Sequence, residues 1–274
     1  MTATTHRADA ALPSFASVYR TRGSVELKEF FRQRESVVFT LMFPVILLLV
    51  FGAVLDYDLG SGVSFIQYFM AGVIAAGILG ASLQNMAIGI ATERSDGTLK
   101  GLAGTPMPKA AYFVGKVVQV FAVTVAIIAI LLAIGALFYG VDLPSGSDWI
   151  TFVWVAGLGS AACTLLGIAV SSLARNGRSA SATVTPIALV LQFISGVFFL
   201  FSQVPTWLQT IAALFPLKWM AQGLRSVFLP DALAAQEPAG SWELGRVALV
   251  LGIWCVVGLV LCVRTFRWQD RVDR

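Results

Sequence analysis

Of 274 residues, 57% are hydrophobic and only 12% are charged, with a mean hydropathy of +0.81; so few charges could not cover a soluble surface, which leaves an integral membrane protein. The net charge of +4 does not imply nucleic acid, because its distribution, set out below, follows membrane topology. Cys163, Cys255 and Cys262 all lie in apolar runs without a ligand spacing, so they read as packing residues and neither a disulfide framework nor a metal site is expected.

Residues 1–23 are polar, rich in small side chains and hold the single histidine, His6; they read as a disordered tail. A secretory signal is excluded by the late start of the first apolar run, at Val37. In residues 24–35, Leu27, Phe30, Phe31 and Arg34 recur at helical spacing and Ser24 stands where a cap would. This predicts an amphipathic helix lying in the membrane interface, or else an extension of the first span.

Six runs are long enough to cross a hydrocarbon core that needs about 20 apolar residues: 37–55, 65–91, 117–139, 149–174, 182–201 and 247–263. The last is short, and Arg246 would snorkel to lengthen it. Small residues recur on the second and fourth (Gly72, Ala76, Gly80; Ala156, Ser160), as close helix packing requires. Between the second and third spans, residues 92–116 form a polar island. Asp96 and Thr105 read as helix caps there, with Pro106 and Pro108 in the first turn of the next helix.

With the N-terminus inside, Lys and Arg divide 16 to 3 in favour of the inner face, leaving only Lys218, Arg225 and Arg246 outside. Both termini and the island are therefore expected in the cytoplasm, and the chain in the cell membrane. The outer segment 202–243 is long, apolar and aromatic. It predicts a hairpin of two short helices, 205–214 and 217–229, dipping into the outer leaflet with Trp207 and Trp219 at the interface, or else a cap that does not dip.

The chemistry that is missing narrows the function. One histidine in a tail offers no Ser–His pair, and no phosphate-binding loop of the G-x-x-x-x-G-K-[ST] type occurs, so no catalytic residue is expected. The six spans contain no Asp, Glu, Lys, Arg or His, whereas ion-coupled carriers keep such groups at membrane depth. Polar uncharged groups do occur there. Gln84 and Asn85 on the second span and Gln192, Phe193, Ser195 and Phe199 around the fifth are candidates for a substrate path, or for hydrogen bonds between helices.

The run Glu93-Arg94-x-x-Gly97-Thr98-Leu99, followed by Leu102, Thr105-Pro106 and Gly115-Lys116, resembles the cytoplasmic loop of type-2 ATP-binding-cassette (ABC) transporter permeases, especially the daunorubicin-resistance-like exporters. The six spans, the N-terminal helix and the outer hairpin ending near Phe215-Pro216-Leu217 extend the resemblance over most of the chain. It implies an all-α membrane protein in which residues 24–274 form one permease domain. It also implies dimerisation with an identical or sister permease, and two ABC ATPase subunits that bind the ATP and magnesium. Glu93, Arg94, Gly97, Thr98, Leu99 and Leu102 would form the coupling helix docking on the ATPase, with helix 24–35 as a second contact. The cargo would be a drug or lipid. A passive channel, an ion-coupled carrier and a scaffold are the competing readings.

Overall fold

The computed structural model describes residues 14–55, 57–60 and 62–266. Apart from one isolated bridge, Asp58–Ser64, the regular structure there is helical. Helix α1 (Phe15–Arg32) is followed after one residue by α2 (Arg34–Val54). Helix α3 (Phe65–Leu79) runs through a π-helical turn, Gly80–Gln84, into α4 (Asn85–Ser95). After the short α5 (Thr98–Ala103) come α6 (Lys109–Tyr139), α7 (Asp148–Ser171) and α8 (Gly177–Ile194). Helices α9 (Thr206–Ala212) and α10 (Pro216–Phe228) then lead to α11 (Leu244–Thr265).

Among the described residues, five continuous helices are long and apolar enough to cross a membrane: Arg34–Val54, Phe65–Ser95, Lys109–Tyr139, Asp148–Ser171 and Leu244–Thr265. The predicted fifth span, 182–201, is not among them. Its helix stops at Ile194, because Gly196 takes a left-handed φ of 72° that ends an α-helix. The last span is longer than predicted at both ends, running from Leu244 to Thr265, and Arg246 pairs with Glu243 at its start.

The long helix Phe65–Ser95 is the axis of the molecule. Every residue of α3 except Gln67 is buried, packed by α2, α6, α7 and α10. Helices α2 and α11 instead leave apolar side chains such as Phe39, Ile46, Leu249 and Val256 exposed, as lipid-facing helices do. Close approach at the axis depends on missing side chains. A Cβ on Gly72 would sit 2.8 Å from the Val197 carbonyl oxygen, and one on Gly167 2.7 Å from that of Leu83.

The bundle has two distinct ends. One, the loop end, carries α5 and the starts of α2, α6 and α8. The other, the cap end, carries α9 and α10. Helix α10 is sunk into the bundle rather than laid over it: Gly223 abuts Val155 and Met220 abuts Gly159 on α7. Those α7 residues lie roughly 10–16 Å along the helix from its first residue at 1.5 Å per residue. Lys218 and Arg225, expected as outer-loop charges, are buried with it.

At the N-terminus the helix begins at Phe15, capped by Ser14, whose side chain accepts from Ser17 N. Residues 15–23 are thus helical where a tail was expected, and residues 1–13 lie outside the described residues. Ser24 is no cap; its hydroxyl donates to the Thr21 carbonyl inside the helix. Of the predicted face, Phe30 is buried, Leu27 half-buried and Phe31 exposed, while Arg34 begins α2. The buried face is Gly23, Glu26 and Phe30, pressed against α6.

Candidate functional site

The polar island builds the loop end. Helix α4 stops at Ser95, Asp96 Oδ1 accepts from Thr98 N at 3.2 Å, and Gly97 takes φ 83°. That left-handed turn favours glycine and starts α5 at Thr98. Thr105 does not cap the following helix. Its hydroxyl donates to the Leu102 carbonyl, and Pro108 stands at the cap position of α6, whose first turn therefore lies beyond both prolines.

Beneath α5 is a buried charge network. Glu26 of α1 accepts from Arg22, one turn earlier, and from Lys116 Nζ at 2.7 Å. Lys116 of α6 also pairs with Glu93 of α4, and the Tyr112 hydroxyl donates to Glu93 Oε2 at 2.8 Å. Next to Glu93, Arg94 donates to the Ser171 carbonyl at the end of α7 at 2.8 Å. Two cations, Arg22 and Lys116, balance two carboxylates, Glu26 and Glu93, and every carboxylate oxygen of the pair is engaged. Such a network adds little net stability, yet removing one member leaves an uncompensated buried charge. Its consequence is geometric: α1, α4, α6 and α7 are tied at the level where α5 begins.

Leu99 completes the attachment. It is fully buried in a cluster with Ile90, Tyr112, Ile168, Ala169 and Cys262. The six residues expected to act together therefore divide by position. Glu93, Arg94 and Leu99 are inside, Leu102 is half-buried, and Gly97 and Thr98 are exposed. Gly101, Ala103, Gly104, Thr105 and Pro106 share that exposed surface. Glu29 brings a third carboxylate within 4.8 Å of those of Glu26 and Glu93, but Lys116 already sits on two of the three, so an internal ammonium serves as the cation of this cluster. A polar cavity of about 150 Å³ beside it is lined by Glu26, Glu29, Asn85, Glu93, Lys116 and Gln119, among others.

The candidate path residues do not form one site. Helices α4 and α8 run antiparallel, with Gly177 against Thr92 and Val197 against Gly72. That register sets Gln192 level with Gly77, about 10 Å nearer the cap end than Gln84 at 1.5 Å per residue. Asn85 lines the loop-end cavity, and its side-chain nitrogen is buried without a partner. Gln192 and Ser195 are buried near the break in α8, and Gln192 Oε1 and Ser195 Oγ likewise lack partners. Phe193 and Phe199 are about half exposed beside them, with Phe193 4.7 Å from Phe198. Sequence reasoning missed Glu26 and Tyr112, and named Lys116 only as part of the loop motif. Arg22 and Glu26 at i, i+4, and Tyr112 and Lys116 at the same spacing, were the available signal.

A protein-family model described as ABC-2 type transporter matches residues 20–229, from α1 through α10. No individual curated protein matches.

Proposed function

Because the chain belongs to the ABC-2 type transporter family, we propose that it is the membrane subunit of an exporter that moves a hydrophobic or amphipathic molecule, a drug or a lipid, out of the cytoplasm. The family makes it a multi-pass transmembrane permease with no catalytic activity of its own, partnered with an ABC ATPase. In the proposed assembly two ATPase subunits, which bind ATP and magnesium, meet two permease protomers, identical or sisters. The relation to daunorubicin-resistance-like exporters belongs to the same proposal.

The observation that carries this reading is α5. A six-residue helix with an exposed face is held rigidly on four longer helices by Leu99 and the Glu93 network. A ligand or partner shifts a conformational equilibrium only through contacts that differ between the two states. In the proposal Thr98 and Ala103 touch the ATPase, while Glu93, Arg94 and Leu99 transmit its movement inward. The loop end and both termini face the cytoplasm, in keeping with the surplus of Lys and Arg on that side. Helix α8 makes the sixth crossing: its 18 residues span about 27 Å, close to the roughly 30 Å of a hydrocarbon core. Helices α9 and α10 are re-entrant, a reading supported by the depth at which α10 meets α7.

Reconstitution with a tagged ABC ATPase tests this. A fluorescent amphipathic dye should accumulate in vesicles only with hydrolysable ATP, and the ATPase should co-purify with the permease. Accumulation driven by an ion gradient without ATP would make the chain a carrier, and downhill leakage alone would make it a channel.

A further inference from the structure

A second buried ion pair lies at the cap end, outside the coupling apparatus. Arg225 of α10 is completely buried. Its Nε donates to Glu237 Oε1 at 2.8 Å and its Nη1 to the Gly196 carbonyl at 3.3 Å. The guanidinium also lies 4.8 Å from the centroid of the Tyr68 ring. The Tyr68 hydroxyl in turn accepts from Phe201 N at 2.9 Å. Arg225 and the tyrosine it covers thus hold both ends of one short segment, residues 196–201, where the chain leaves α8.

That segment is built like a hinge with a plug. Gly196 is left-handed, and a Cβ on it would sit 2.8 Å from that of Phe201. Phe198, in the middle, is buried against Phe51, Phe69 and Phe193. The ion pair itself is incomplete, since Arg225 Nη2 and Glu237 Oε2 are buried without partners. A half-satisfied buried pair is a poor source of stability, and the best-attested use of buried charge is to select between alternative arrangements.

We propose that Arg225 and Glu237 form a latch that holds segment 196–201 shut, and that releasing Arg225 from the Gly196 carbonyl lets the segment swing about Gly196 and withdraw Phe198 from the core. The placement of this opening on an export route rests on the function proposed above; the latch itself does not. Val197 is fully buried inside the segment, so a thiol introduced by Val197→Cys reports its opening. The full chain in nanodiscs is treated with a water-soluble maleimide, with the otherwise unaltered protein as control for its native cysteines. Tyr68→Phe, which removes one hydroxyl and keeps the ring, should speed labelling about tenfold, the population change expected from one lost buried hydrogen bond. Glu237→Gln should speed it further. If Glu237→Gln fails to insert, Arg225→Lys, which keeps the charge but lacks the fork that reaches both Glu237 and the Gly196 carbonyl, takes its place and should speed labelling likewise. Labelling as slow as in the parent in every variant that inserts normally would overturn the latch. ATP-driven export is measured separately on the parent, so a failure of the export reading shows in a different assay.

Discussion

The loop end and the cap end both bury charge, but they finish it differently. At the loop end two cations meet two carboxylates whose four oxygens are all engaged, and four helices are joined as one body. At the cap end Glu237 uses one oxygen, Arg225 leaves one nitrogen idle, and the pair reaches a segment that has already left its helix. Lys218 adds an unbalanced cation there, held against the Trp219 ring at 3.6 Å and bonded to Gln222. Each end leaves one arginine nitrogen without a partner, Arg22 Nε at the loop end and Arg225 Nη2 at the cap end, but only the cap end also leaves a carboxylate oxygen idle. Fully engaged carboxylates suit a part that passes movement on without deforming, and a half-used one suits a part that lets go.

The contrast is open to attack at several points. The largest effect is expected from Lys116→Met, which leaves two carboxylates facing Arg22 alone. A loss of about 3–5 kcal/mol is expected, read as a lowered thermal midpoint, and the double variant with Glu93→Gln should recover most of it. Gly97→Ala comes next. Its left-handed backbone predicts a loss of about 1–2 kcal/mol confined to α5, so ATP turnover should uncouple from export while the chain inserts normally; Gly97→Pro should uncouple more completely.

The smallest effect on stability, within about 0.5 kcal/mol, belongs to the exposed Ala103→Glu, which should nevertheless weaken co-purification with the ATPase.

Five membrane-length helices, the pair of short helices before the last of them and the polar island were legible because long apolar runs and proline breaks act locally. The hairpin helices Thr206–Ala212 and Pro216–Phe228 fall almost where expected, the first between Pro205 and Pro216 and the second between Pro216 and Pro230. The end of α8 was not legible, since Ser195 and Gly196 interrupt an otherwise apolar run only through a backbone angle. The π-turn at Gly80–Gln84 was also hidden. It depends on Ser82 donating to the Ile78 carbonyl and on α7 approaching Leu83 through Gly167, a tertiary condition. Within the island, the motif residues were found but not their division of labour. Glu93 and Arg94 look like surface charges until their partners at residues 112, 116 and 171 are known. The same blindness counted Lys218 and Arg225 as outer-side charges without showing that both are buried. Topology rules count lysines and arginines without asking what lies beside them.

The most direct test places a photo-crosslinking side chain at Thr98, at Ala103 and, as a control, at the exposed Trp207 of the cap end, in membranes that also hold the partner ATPase. Crosslinks to the ATPase from positions 98 and 103, and none from 207, are the predicted result. An ATPase captured from position 207, or from none of the three while export proceeds, would contradict the assignment of the loop end as the place where the chain is driven.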